Sequence, residues 1–284
     1  MMKIHPRGAW QLLAAVLTCA LLSLSMRVDA AQVDTVAIFS PAMAKAAQAV
    51  VVLPERYLTS QERFPVVYLL HGWSGSYRDW PTKADLKPLA DRYEFILVCP
   101  DGGYASWYLD SPLRKDSQYE TYIAKEVVDY VDAHYRTIAD STGRFLCGLS
   151  MGGHGAFTLL AKYPERFAGA GCLSGAMTLT PAARRAGLAD VLGEYEQAPR
   201  LWEENSATFL CTRLAGRNKA IFLDCGIDDF LLDTNRQLHS RMIELKIPHD
   251  YTERPGAHTW AYWSNALEYH LLFFSKHLKR KSAP

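Results

Sequence analysis

Apolar residues are spaced along this chain in two alternating ways. Short, nearly continuous apolar runs, such as Val66-Val67-Tyr68-Leu69-Leu70 and Ile96-Leu97-Val98, are separated by longer stretches with apolar residues every three to four positions. Continuous runs of that length fit strands buried on both faces, as in a parallel sheet covered by helices. The pattern predicts strands at 33–39, 48–53, 65–70, 95–99, 144–148, 168–174, 219–225 and 249–253. Helices are predicted at 83–92, 121–135, 150–162, 231–245 and 262–278, with Ile123, Val127, Val128 and Val131 on one stripe of the second. Strand alternating with helix gives a doubly wound α/β architecture with no internal repeat. Residues 31–284 read as one domain.

One connection is long for such a fold. Residues 175–217 carry Tyr195, Trp202, Phe209 and several charges. They read either as a partial cap over one face or as ordinary helices packed on the sheet.

The first thirty residues break the pattern. Lys3 and Arg7 precede an apolar run from Ala9 to Leu24, and Val28-Asp29-Ala30 places small residues for cleavage after Ala30. This predicts a cleavable secretory signal peptide at 1–30, and hence a secreted or periplasmic protein with no stable membrane insertion after cleavage. Removing it takes away Lys3, Arg7, Arg27 and Asp29, so the formal charge moves from +1 to −1. A near-neutral chain argues against nucleic acid as a partner. The remaining cysteines, Cys99, Cys147, Cys172, Cys211 and Cys225, show no metal-like or redox-like spacing and read as buried thiols.

The candidate chemistry centres on Gly148-Leu149-Ser150-Met151-Gly152, a G-x-S-x-G match between the predicted strand at 144–148 and the helix at 150–162. Strand, tight turn and helix are the context of a nucleophile elbow. The glycines are needed because side chains at 148 and 152 would collide where strand and helix pass, and the turn exposes the Ser150 hydroxyl. A serine needs a base, and the base needs an orienting acid. In this motif's context the acid follows the next-to-last strand, where Asp228 and Asp229 both lie in a loop. Asp229 is the first choice and Asp228 the second, since either could instead cap the next helix. Of the nine histidines, His258 alone lies in a loop after the last predicted strand. His154, four residues beyond Ser150, would have to fold back over the turn.

Backbone donors for an oxyanion are expected at Met151 and at Trp73, with Gly72 letting the backbone turn. Glycines and interleaved aromatics at Pro100-Asp101-Gly102-Gly103-Tyr104-Ala105-Ser106-Trp107-Tyr108 suggest a cleft wall. Substrate contacts are expected from His71, Gly72, Trp107, Tyr108 and Trp260, with Tyr104 and Trp202 brought toward the same cleft beside Trp73.

The segments YLLHGWSGSYRDW at 68–80, PDGGYASWY at 100–108, GLSMGGHGA at 148–156, DCGIDDFLL at 224–232 and PGAHTWAYW at 255–263 together resemble the esterase D-type family of α/β-hydrolases. That family includes feruloyl and acetylxylan esterases, tributyrin-type esterases, S-formylglutathione hydrolases and the antigen 85 mycolyltransferases. The resemblance implies an α/β-hydrolase fold with a mostly parallel eight-stranded sheet and helices on both faces. It places the acid of a G-x-x-D at Asp229 and the base of a PG-x-H-x-W at His258. The function it implies is a serine carboxylic-ester hydrolase working through an acyl-enzyme, with no metal or organic cofactor. Short-chain, acetyl or hydroxycinnamoyl esters, small or polysaccharide-linked, are the expected substrates. An acyltransferase and an S-formylglutathione hydrolase-like thioesterase are the alternatives of the same class. A non-catalytic carbohydrate- or lipid-binding module is the alternative of another.

Overall fold

In a computed structural model of the chain, residues 32–278 are described. The signal peptide read at 1–30 lies outside them. Eight strands form one sheet in the order β1-β2-β4-β3-β5-β6-β7-β8. They are β1 (Val33–Ser40), β2 (Lys45–Val52), β3 (Val66–Leu70), β4 (Ile96–Pro100), β5 (Arg144–Leu149), β6 (Gly169–Leu173), β7 (Ala220–Gly226) and β8 (Asp250–Arg254). β1 and β2 form an antiparallel hairpin, and β2 joins β4 antiparallel. From β4 through β3 to β8 every pairing is parallel. This is the α/β-hydrolase architecture expected from the sequence.

The two faces of the sheet follow from the period of two. Val66, Tyr68, Leu70 and Leu146 pack with Phe157, Leu159 and Leu160 of the helix Met151–Lys162. Val67, Leu69, Phe145 and Cys147 pack on the opposite face with Leu86, Leu267, Leu271 and Phe274. The five cysteines are buried and free. No helix among the described residues is long and apolar enough to cross a membrane.

Two departures from the sequence reading have physical causes. β2 starts three residues earlier than the apolar run suggests, because Lys45 pairs with Ser40 across the hairpin and backbone pairing does not need an apolar side chain. The helix expected at 121–135 runs over 119–134 and contains a π-helical segment, Tyr122–Val127, which places Tyr122, Ile123, Ala124 and Val127 in the core. The 175–217 connection divides its two readings between its parts. Leu188, Val191, Trp202, Leu210 and Leu214 are buried in the core, whereas Pro181–Ala186, a 3₁₀ turn with no buried residue, borders the cleft described below.

Candidate active site

β5 runs into the helix Met151–Lys162 through Ser150, whose φ of 54° and ψ of −116° lie where a residue with a Cβ is strained. The conformation is held by the Ser150 N–H donating to Leu173 O at 2.9 Å and by Ser150 O accepting the His154 N–H at 3.1 Å. A Cβ at Gly148 would come within 2.2 Å of Gly152 O, and one at Gly152 within 2.4 Å of Leu70 O. The glycines of G-x-S-x-G are therefore forced by the crossing of strand and helix.

β7 and β8 deliver the other two groups. Asp229 follows β7 and His258 follows β8, and their loops are tied by the Asp228 N–H donating to Gly256 O at 2.9 Å. His258 Nδ1 stands 2.8 and 3.0 Å from the two Asp229 carboxylate oxygens, and His258 Nε2 stands 3.0 Å from Ser150 Oγ. A carboxylate only accepts, so the Nδ1 proton points at Asp229 and Nε2 is left to accept the Ser150 hydroxyl. Burial pushes the Asp229 carboxyl up, but hydrogen bonds from His258, the Leu231 N–H and Ser174 hold it below the usual carboxylate range. The Leu231 N–H bond, 2.8 Å, is a local turn contact just ahead of the helix Leu232–Glu244, so Asp229 fixes its own loop as well as orienting His258. Asp228 is exposed and its side chain takes no part.

Gly72 lies against the elbow: a Cβ there would sit 2.8 Å from Leu149 Cδ1 and 3.5 Å from Ser150 Cβ. That approach carries Trp73 to the mouth of the elbow. Among the described residues the backbone N–H groups of Trp73 and Met151 have no backbone acceptor, whereas the next amide, Ser74 N–H, is used by Tyr104 O.

Ser150 and His258 open into a cleft of about 770 Å³. Gly72, Trp73, Trp107 and Trp260 line it, with Met151 and Leu149 at the elbow. Two expected substrate contacts are misplaced and are corrected here. His71 is buried; its Nδ1–H donates to Gly72 O and its Nε2 accepts the Gly102 N–H, each at 2.8 Å. Tyr108 is also buried, and its hydroxyl donates to His71 O at 2.9 Å. Both residues brace the two loops from behind. Trp202 is likewise buried away from the cleft, bonded to Gly193 O, and Tyr104 stands on the rim with its ring edge-on to Trp73.

Residues that the sequence reading did not select also reach the cleft. Phe230 is 76% exposed and its ring lies 4.5 Å from that of His258. Trp263 meets His258 edge-on at 4.7 Å and its indole N–H donates to Ser174 Oγ at 3.1 Å. Thr178, Thr180, Ala182, Ala183 and Ala186 also line it. Trp263 stood in the PGAHTWAYW segment and Phe230 in DCGIDDFLL, so a signal was present for both; the 178–186 wall carries none that a single sequence reveals. His154 does not fold back toward Ser150. Its ring is buried against Trp107 with Nε2 at 2.8 Å from Asn205 O, and burial lowers its pKa to about 4. Among the described residues no group of three or more His, Cys, Asp or Glu is placed to hold a metal ion.

Comparison with known proteins places the chain. Residues 40–274 match the family described as "Esterase: Putative esterase". Esterase Rv1288 of Mycobacterium tuberculosis is 32% identical over 74% of this chain and 52% of its own length. The chain thus spans about half of that relative. The acetyl esterase of Caldicellulosiruptor saccharolyticus is 30% identical over 73% of this chain and 84% of its own. A solved ferulic acid esterase superposes with a TM-score of 0.77 at 30% identity, over 88% of this chain and 99% of that one. The chain belongs to this esterase family.

Proposed function

We propose that this family member is a serine carboxylic-ester hydrolase that works through an acyl-enzyme. The observation that carries the reading is the unbroken chain of hydrogen bonds from Asp229 through His258 to Ser150, opening on a cleft. Ser150 Oγ attacks the ester carbonyl carbon as His258 Nε2 takes its proton. The carbonyl oxygen gains negative charge and turns toward the Trp73 and Met151 N–H groups, which among the described residues have no backbone acceptor of their own. As the tetrahedral species collapses, the alkoxide leaves with the proton from His258. Water then repeats the sequence on the acyl-serine and frees the acid. Asp229 keeps the imidazole in the tautomer that accepts from Ser150 and faces the imidazolium as it forms.

Short acyl or hydroxycinnamoyl esters are the proposed substrates. The names of the acetyl esterase and ferulic acid esterase relatives, and the aromatic lining of the cleft, support that reading. Export, with cleavage after Ala30, is proposed on the sequence of residues 1–30 alone. The test is a stopped-flow record with p-nitrophenyl acetate. A stoichiometric burst of p-nitrophenol in the wild type and none in Ser150→Ala is expected. Turnover of Ser150→Ala within about tenfold of wild type would remove the serine from the reaction.

A further inference from the structure

One side of the cleft carries a cation that the ester chemistry does not use. Asp79 and Lys83 belong to a short helix, Asp79–Lys83, and both line the cleft with Trp260. Trp80 pins that helix: it is buried, and its indole N–H donates to Leu70 O at 3.1 Å. The Lys83 ammonium lies 4.8 Å from the centre of the Trp260 ring. Trp260 is itself packed edge-on against Trp80 at 5.1 Å and Trp263 at 5.5 Å. The ammonium thus stands over a well-packed ring, that of the residue two positions after His258.

Asp79 only partly answers that charge. Lys83 Nζ is 3.5 Å from Asp79 Oδ1, longer than an N–H···O hydrogen bond. The carboxylate is turned under the Gly72–Gly75 turn, so closely that a Cβ at Gly75 would lie 2.5 Å from Asp79 Oδ2. The Asp79 side chain is 19% exposed and that of Lys83 44%, so the ammonium is the more accessible of the two charges in the cleft wall. Of the cleft-lining residues, Lys83 is the lysine or arginine, and it has no hydrogen bond to the Asp229–His258–Ser150 chain. An ammonium carries three donors and no acceptor.

We propose that Lys83 is a specificity residue that selects esters bearing a carboxylate on the portion lying along Trp260. The inference rests on the esterase reading above. The ring supplies a face for the carbon skeleton, and the ammonium pairs with the carboxylate. Because the site is open to water, the preference is modest and falls with salt.

Two matched pairs of esters test it in the wild type, Lys83→Gln and Lys83→Glu. Mono-p-nitrophenyl adipate against p-nitrophenyl hexanoate places the charge on the acyl side. 4-Acetoxybenzoate against 4-acetoxybenzamide places it on the alcohol side. In one pair, Lys83→Gln is expected to lower the charged-to-neutral ratio of kcat/KM by roughly three- to tenfold, through KM, and Lys83→Glu further. Neutral esters should be turned over as before, and added salt should shrink the wild-type ratio. A ratio unchanged within about twofold in both pairs, or equal losses on charged and neutral esters, overturns the proposal. Loss of the esterase reading would appear separately, as turnover that survives Ser150→Ala.

Discussion

Trp263 and Ser174 are joined by an indole N–H···Oγ hydrogen bond of 3.1 Å directly behind the Asp229–His258 pair. The same indole meets the His258 ring edge-on at 4.7 Å, and the Ser174 hydroxyl supports the Asp229 carboxylate. One side chain thus braces both members of the pair. Trp263→Phe keeps an aromatic ring but loses the donor, and Ser174→Ala loses the hydroxyl. Each should lower kcat by roughly tenfold with KM little changed, and the double variant should cost less than the product of the two, since the groups act in series. Steady-state kinetics of the two single variants and the double variant check this. A rise in KM alone would assign Trp263 to substrate binding.

The adjacent acids separate cleanly. Asp229 faces His258, whereas the Asp228 side chain is exposed and only its backbone N–H is engaged. Asp229→Asn should lose roughly 10⁴-fold in kcat through the wrong imidazole tautomer. Asp228→Asn should stay within a few-fold. The reverse order would move the acid by one residue.

Buried histidines make stability depend on acid. Burial lowers His154 to about 4 and His270 to about 3. For a group depressed in the folded state, the contribution to stability is fully present above its unfolded pKa of about 6.5 and is lost as pH falls toward the folded value. Urea unfolding between pH 7.5 and pH 4 should therefore show stability falling below about 6.5, by up to about 1.4 kcal/mol per pH unit for each histidine. His154→Gln should flatten that slope by one proton. An unaltered slope would mean that His154 titrates alike folded and unfolded. Asp229, held below the usual carboxylate range, begins to lose its own contribution as pH falls through the ordinary carboxyl pKa of about 3.9, so the histidine slope is read above about pH 5.

The parts of this fold that were legible in the sequence are those with a steric cause. The eight strand-like runs, several of them continuously apolar, became the eight strands of the described residues, and G-x-S-x-G marked a crossing so tight that only glycine fits at 148 and 152. Chain order sorted His258 from eight other histidines, because a base must come from the loop after the last strand. What stayed hidden depends on which way a loop side chain turns. His71 and Tyr108 sit in aromatic- and glycine-rich loops at the right end of the sheet, yet both point inward and tie those loops together. Nothing in their spacing separates them from Trp73, which points out, or from Trp107, which is buried but borders the cleft. The 175–217 connection was ambiguous for a related reason: its apolar residues pack one part into the core, and the alanines and threonines that border the cleft have no pattern of their own.

The shape of the cleft sets the last prediction, which concerns acyl length. Trp73, Trp107 and Trp260 border it, Phe230 stands exposed beside His258, and Ala182, Ala183 and Ala186 continue the wall next to Trp107. Aromatic walls favour flat groups, each ring adding about 0.5–1.5 kcal/mol beyond its buried area. A p-nitrophenyl series read as kcat/KM should peak at short acyl chains and fall steeply beyond medium ones, while hydroxycinnamoyl esters remain good substrates. A maximum at long chains would instead indicate a lipase-like or mycolyltransferase-like acyl site. Trp107 has two roles that its variants pull apart. Its ring borders the cleft, and its indole N–H donates to Ala186 O at 3.0 Å, holding one end of the Pro181–Ala186 turn. Trp107→Phe loses the hydrogen bond but keeps an aromatic ring, so it should affect acetate and feruloyl esters nearly equally. Trp107→Ala removes the ring as well and should weaken feruloyl esters more than acetate, by roughly three- to tenfold in kcat/KM. Equal losses in the alanine variant would show that this ring holds the wall in place without touching the acyl group.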